Sequence, residues 1–511
     1  MKRFLALMLA LVLCLSCCHA LAEQEENPWS GLDLSEYVEI NFFVPGFGFE
    51  DFDEIMELAN ARMKELINTK VNVTFVPYGD YGTKLSLFLA GDEDVDLVYG
   101  AYWLDFAGYA RNGGYKGFDW DFVEKYMPLT AKNQAPTSWN EVRFNGLYYG
   151  VTNNHAGIGF GGTWTRQELL DKYGFKAEDI DNYDKMIEYL YAVAKDATTT
   201  GIYPINAQNS YPMDGGWFTG RNHMMDTNAG TALWLVWKYN TGKPFAYEDF
   251  KWFADTDEYR QFCLQMADFY KNGVFPSSVM NNDTLIDDNF YNGTSAILGA
   301  LPNNYKTIQD SVKEGTPVFL NNGWDDECVT RRGNYMIYAT CFTNNSKHTE
   351  RAAVALDCMK NDPIVNRLLV GGIEGRHYTL TEDGKHYIPG PESADFPWNA
   401  FANNAAIQND SNPTQLMDAE YQKYQDMYEA AEVPADTFPI NGFNYDASKY
   451  DAELSALNAL FSEYRFAFGF GLFGDQTEAK LDEFIAQCKA LGIDEIVKDY
   501  RQQMQAFNEA K

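Results

Sequence analysis

The chain has 511 residues, with 73 Asp and Glu against 40 Lys and Arg, a formal net charge of −33 at pH 7. So acidic a surface lacks the electrostatic footprint for nucleic acid or anionic lipid, and it repels phosphates and anionic polymers. The length suits several domain equivalents or one large two-lobed body, and the aromatic share of 15% suits stacking on a neutral ligand.

Lys2 and Arg3 precede an apolar run from Phe4 to Cys18, and Ala20-Leu21-Ala22 follows as a small-residue cleavage signal. This pattern predicts a secretory signal peptide over residues 1–22. The run is about 15 residues, short of the roughly 20 a membrane-spanning helix needs. No later segment is apolar enough to span. Losing the signal removes Lys2 and Arg3 and leaves the mature chain more acidic still. Three of the eight cysteines, Cys14, Cys17 and Cys18, lie in the signal region. Cys263, Cys328, Cys341, Cys358 and Cys488 remain, an odd set with no CxxC. Export permits a disulfide, and Cys328 with Cys341 is spaced for a hairpin bridge, but buried free thiols are the expectation.

The first lobe opens with an apolar strand from Glu39 to Val44, closed by Pro45-Gly46. A helix over Asp53 to Ile67 carries Ile55, Leu58, Ala59, Met63 and Leu66 at helical spacing. A strand from Val71 to Val76, a helix from Tyr81 to Ala90 and a strand from Val95 to Tyr99 complete a βαβαβ run. That run predicts a parallel sheet with right-handed crossovers. Ligands of such sheets sit beyond the carboxyl ends of the strands, which makes Phe47, Asp80, Tyr81, Tyr102 and Trp103 candidate ligand residues.

Arg143 and Phe144 then turn through Asn145-Gly146 into an apolar strand from Leu147 to Val151. The chain leaves through the polar Asn153-Asn154-His155, and a second small and apolar run, Ala156 to Gly162, leads to a helix starting at Thr163 with Glu168 in its first turns. Further on, Asn182 to Asp196 reads as a helix. Trp217 and Arg221 lie in a Gly-rich stretch of no clear period and are candidate ligand residues, whereas Trp234 and Trp237 in ALWLVWKY continue an apolar helix face and belong to a core. Phe262 to Asn272 is a helix, FYNGTSAILGALPNN contains a small-residue strand, and Tyr335 to Phe342 is a strand followed by a helix in SKHTERAAVALDCMKND. Three helices close the chain, over Lys449 to Ala467, Glu478 to Leu491 and Ile493 to Phe507.

The order aromatic, Asn-Gly, Tyr-Gly, polar crossover, second strand and helix in RFNGLYYGVTNNHAGIGFGGTWTRQELL resembles the first inter-lobe crossover of the family 1 extracellular solute-binding proteins. KLSLFLAGDEDVDLVYG, FYNGTSAILGALPNN, GGIEGRHYTLTEDGKHYIPG and KALGIDEIVKDYRQQMQAF are similar to further phrases of that family and of its large lipoprotein-type subgroup, so the likeness covers nearly all of the mature chain. The resemblance implies an α/β, two-lobed periplasmic-binding-protein-like fold of type II. Each lobe would be a mostly parallel sheet flanked by helices, with the ligand cleft between the lobes. It implies lobe 1 over 23–153, lobe 2 over 154–331, a return to lobe 1 over 332–375, and a C-terminal segment over 376–511 whose helices pack on lobe 2 and the hinge. It further implies a monomeric, exported subunit of an ABC importer, with permease subunits as partners and an oligosaccharide as ligand, and neither cofactor nor metal. Relatives are commonly lipoproteins; here either Cys17 is lipidated or cleavage follows Ala22.

Family position adds Asn153, Asn154, His155, Glu374, Arg376 and His377 to the candidate ligand residues, with Trp164, Asn303 and Trp398 beside them. Where relatives place a Trp after the small-residue strand, Pro302-Asn303-Asn304 stand here, and Trp324 is the substitute. Glu374 and Arg376 are equally suited to a structural ion pair.

Gly157, Gly159 and Gly162 satisfy GxGxxG, with Glu178 and Asp179 where a ribose ligand is wanted, but an exported chain meets little dinucleotide. No HExxH, GxSxG or P-loop sequence occurs, and His155, His223, His348, His377 and His386 lack metal-ligand spacing. A secreted glycoside hydrolase needs two carboxylates flanking the scissile bond, which an acidic chain supplies in abundance. That enzyme, and a binding protein for peptides or other non-sugar solutes, are the alternatives.

Overall fold

The computed structural model describes residues 27–91, 94–101, 104–144, 146–153, 162–209, 223–226, 232–238, 245–300, 305–322, 330–331, 335–393, 414–415, 419–430, 432–433, 438–440, 443 and 445–509. The chain divides into two compact units. Unit 1 takes the described residues of Met1–Ala135, Phe144–Asn154 and Tyr338–Thr414; unit 2 takes those of Pro136–Arg143, His155–Ile337 and Gln415–Lys511.

Unit 1 begins with β1 (Val38–Pro45), α1 (Phe52–Ile67), β2 (Thr69–Val76), α2 (Tyr78–Ala90) and β3 (Leu97–Gly100). The alternation of Val38, Ile40, Phe42 and Val44, all buried, makes β1 a strand. Phe52, Ile55, Met56, Ala59, Met63 and Ile67 recur at helical spacing and put one face of α1 on the sheet. The helix ends where Asn68 turns left-handed at φ 50°, a conformation Asn tolerates better than most side chains. β1 pairs in parallel with both β2 and β3, as the βαβαβ run predicts. Two further strands, β4 (Val151–Thr152) and β5 (Ala339–Phe342), extend the sheet to the order β2-β1-β3-β5-β4, and both β3 and β4 pair antiparallel with β5. Behind the sheet, α3 (Thr349–Asn361) is buried at nearly every position from Ala352 to Lys360, and α4 (Pro363–Gly371) packs beside it.

Unit 2 buries an aromatic-rich core that includes Trp164, Tyr189, Phe253, Tyr259, Phe461 and Tyr500. The core is shared by the helices Tyr183–Ala194, Asp257–Lys271, Asp451–Gly469, Thr477–Ala490 and Ile493–Glu509, close to the predicted bounds. Its described sheets differ from the parallel sheet expected. The strand Gly162–Arg166 lies between Leu298–Ala300 and Pro317–Leu320 and is antiparallel to both, so its two neighbours run parallel to each other, with the helix Tyr305–Ser311 lying between them in sequence.

Several expectations need correction. Thr163–Arg166 is strand, not helix: its alternating β-branched residues are paired on both sides, and the helix starts only at Gln167. A Cβ at Gly162 would collide with the Leu320 carbonyl, so the close pairing itself requires glycine there. Trp234 and Trp237 are core residues as expected, but Leu235–Lys238 is the central strand of an antiparallel sheet. Tyr335–Ile337 is a 3-10 turn, and strand begins only at Ala339. The described residues after 375, up to 393, group with unit 1 rather than with a C-terminal segment, because Arg376 and His377 are bonded to Asp51. Cys263, Cys341, Cys358 and Cys488 are buried and outside any disulfide, so Cys341 does not form the hairpin bridge considered for it.

Candidate functional site

Strand register places a candidate site on one edge of the unit 1 sheet. Pro45 pairs with Val76, Phe42 with Leu97, Ala339 with Gly100 and Ala339 with Thr152, so the carboxyl ends of β1, β2, β3 and β4 finish in one row. The residues that leave this edge are Gly46 and Phe47, Pro77 to Asp80, Ala101, and Asn153, with Tyr338 entering from the same side. Phe47 is 69% exposed, unusual for a large apolar ring, and follows Gly46, whose φ of +134° a side chain rarely adopts. Asp80 is exposed in the first turn of α2. Asn153 is buried, and its backbone N–H donates to the Tyr338 carbonyl at 3.0 Å. Phe47, Asp80 and Asn153 therefore follow the strand ends on one edge of the sheet, where parallel sheets of this kind offer room for a ligand.

Tyr81 is not available for ligand. It is fully buried; its hydroxyl donates to the Phe43 and Tyr99 carbonyls at 3.2 and 3.0 Å and accepts from the Tyr99 N–H at 2.8 Å, pinning β1 to β3. Burial pushes its phenol well up. Tyr81 meets Tyr99 edge to face at 5.8 Å, and Tyr99 meets Tyr338 at 6.1 Å. Tyr338 is half-buried at the site edge, where burial also raises its phenol. Sequence reasoning missed it, although it stands just after the expected return crossing.

Arg376 and His377 are also committed elsewhere. Arg376 donates to Asp51 at 2.7 Å, Glu54 at 2.8 Å and Glu392 at 3.0 Å. The bond to Glu54 leads the causes that hold its guanidinium pKa further up. His377 Nδ1 accepts from the Ile373 N–H at 2.8 Å, so Nε2 carries the proton and faces Asp51 at 2.9 Å. That bond is the main cause that lowers the Asp51 carboxyl below its ordinary value. The cluster clamps the start of α1 to the segment after α4, while Glu374 is exposed beside it.

In unit 2, Trp164 is fully buried against Phe319 at 5.4 Å and Tyr421 at 5.1 Å. It is core, because it sits on the middle strand of its sheet. Register again defines an edge: Ala300 pairs with Gly162 and Leu320 with Thr163. Beyond Leu320, Asn322 is 5% exposed, and its side-chain oxygen has no hydrogen-bond partner among the described residues. Buried acceptors are rarely left so, and nothing in the sequence singled it out. Tyr102, Trp103, Asn154, His155, Trp217, Arg221, Asn303, Trp324 and Trp398 lie outside the described residues. Among those described, no cluster of His, Cys, Asp and Glu could hold a metal, and no helix is long and apolar enough to cross a membrane.

Two units traversed several times by one chain, with the first built on a parallel sheet closed by a returning antiparallel strand, are the fold of the two-domain solute-binding proteins. The crystal structure of the N-glycan transport solute binding protein (NgtS) from Streptococcus pneumoniae superposes with a TM-score of 0.73 at 17% identity, over 92% of this chain and 99% of that one. An HMO binding ABC-transporter associated solute binding protein from Bifidobacterium longum infantis superposes with a TM-score of 0.62 at 12% identity, over 92% and 99%. In sequence, the chain is 21% identical over 381 residues to a carbohydrate ABC transporter substrate-binding protein of Streptococcus pneumoniae serotype 4, covering 71% of this chain and 70% of that protein. A family model described as a domain of unknown function, DUF3502, matches residues 439–509. These likenesses have in common the two-domain fold of solute-binding proteins.

Proposed function

We propose that the protein is the exported capture subunit of an ABC importer, that its ligand is a neutral oligosaccharide, and that it hands this ligand to membrane permease subunits. The observation that carries the reading is a shared fold over 92% of the chain with a sugar-transport protein, NgtS, which has also been solved in complex with Man1GlcNAc. The edge from which Phe47, Asp80 and Asn153 emerge supports it, since an exposed ring beside polar groups suits both the C–H faces and the hydroxyls of a sugar. The strong net negative charge favours a neutral cargo over an anionic one. Capture proceeds by closure: sugar makes extra contacts in the closed arrangement and shifts an open–closed equilibrium toward it. The working form is a monomer outside the membrane, anchored by lipid if Cys17 is the modified residue. Glu374 and the candidate residues outside the described set belong to this proposal as ligand contacts.

The test is a thermal-shift screen of residues 23–511 against mono- and oligosaccharides, with peptides as the contrasting set. A sugar at 100 times its dissociation constant should stabilise the protein by about 2.7 kcal/mol, and mass spectrometry should recover it intact. Recovery as fragments would indicate a glycoside hydrolase, and stabilisation by peptides alone would overturn the sugar reading.

A further inference from the structure

Three of the passages between the units run close to one buried lysine. Unit 1 is left after Ala135 and after Asn154, and re-entered at Tyr338. Lys360, on α3, is fully buried, and its Nζ donates to the Thr152 carbonyl at 2.7 Å. Gln134, also buried, donates from Nε2 to the Thr152 hydroxyl at 2.6 Å and reaches the carbonyl at 3.4 Å. One residue on, the Asn153 N–H donates to the Tyr338 carbonyl at 3.0 Å, and Thr152 pairs in register with Ala339. The unit 1 ends of all three passages are thus joined through Thr152 and Asn153. For two of them, the passages after Ala135 and before Tyr338, the unit 2 ends are also tied: Thr137 donates to the Tyr335 hydroxyl at 3.4 Å, and the Met336 N–H donates to Glu141 at 3.1 Å.

Burying an ammonium is costly, and apolar residues of similar volume commonly pack as well or better. The negative charge that acts on it is Asp357, almost one turn earlier on α3, whose carboxylate is itself bonded elsewhere, accepting from Trp29 Nε1 at 2.9 Å, Leu129 N at 3.2 Å and Thr130 N at 2.6 Å. Burial also pushes the Lys360 ammonium well below its ordinary pKa. A group kept at such cost, and directed at a single crossover carbonyl, calls for a role that packing does not supply.

We propose that Lys360 is the positioning residue of the hinge: by fixing the Thr152 carbonyl to α3, with Gln134 beside it, it makes the three passages bend as one set. The proposal rests on capture by closure, and its test is chosen to be read without ligand. Lys360→Met keeps length and removes the donor. In the ligand-free protein, amide hydrogen exchange over 151–153 and 338–340 should quicken by about tenfold or more, while the β1 and β2 amides change by less than about twofold. Gln134→Met should give a smaller change at the same amides, and it decides the matter if Lys360→Met does not fold. Unchanged exchange at the crossover, or equal quickening throughout unit 1, would overturn the proposal in favour of plain packing. In a second arm, the sugar affinity of Lys360→Met should fall about tenfold. If the parent protein binds no sugar, the proposed function fails, while the exchange result still decides the hinge.

Discussion

Phe47→Ala separates a ligand platform from a packing residue. A Phe side chain presents about 200 Å², and at 69% exposure most of it is open to water. A sugar lying on one face would cover roughly half of the open area, about 70 Å², worth about 1.7 kcal/mol at about 25 cal/mol per Å². Truncation should therefore weaken oligosaccharide binding about twentyfold. Stability should fall by less than about 1 kcal/mol, because little of the ring is buried in the free protein. Isothermal titration with the best sugar from the screen and a melt of the ligand-free protein read the two quantities separately. Affinity within about twofold of the parent would show that the ring meets no sugar, and a melting point lowered by more than about 5 °C would show that it packs against unit 1 after all.

Trp164→Ala should cost about 3–5 kcal/mol in denaturant unfolding, as expected of a large core side chain, and a loss under about 1 kcal/mol would return Trp164 to the ligand candidates. Asn322→Leu removes a buried acceptor that has no partner among the described residues; unfolding free energy should stay level or rise by about 1 kcal/mol while sugar affinity drops about tenfold, and equal affinity would refute a ligand role. Asp51 has a folded carboxyl pKa below the ordinary 3.8, so its stabilisation is complete above that value and is lost as pH falls through the lower folded value. Asp51→Asn should lower the melting temperature at neutral pH and flatten its fall below about pH 3.8; parallel curves for parent and variant would remove Asp51 from the account of acid sensitivity.

The first half of unit 1 was legible because local signals agreed: alternation in β1 and β2, helical spacing in α1, and a short apolar run at β3 all point to one parallel sheet, and the loops beyond it follow from that topology. What escaped was set by distant partners. Thr163–Arg166 stands just ahead of an acidic helix start, and only its pairing with residues more than 130 positions away makes it a strand. ALWLVWKY has no period of its own, so an apolar run buried on both sides of a sheet reads equally well as helix. Tyr81 looks like a cleft aromatic because it follows a strand's carboxyl end, and Trp164 because it follows a crossover, yet both places are also where a core must be sealed. Arg376 and His377 meet Asp51 across more than 320 residues. Asn322 and Lys360 carry no local signature, since an unpaired acceptor or a buried ammonium is a property of surroundings that one residue's neighbours in sequence do not reveal.

The placement of β5 orders events in time. Among the described residues β4 pairs with the sheet through β5 alone, and β3 lacks its second neighbour until β5 arrives, although both precede it by about 185 residues or more. Trp29, near the start of the described chain, likewise waits for Asp357, 328 positions on, before its indole N–H has its buried acceptor. A nascent chain therefore cannot complete unit 1 while its later part is still being made, and high sequence separation of this kind slows folding generally. Through most of its synthesis the polypeptide therefore carries an open first unit, which closes only after β5 and α3 have been made.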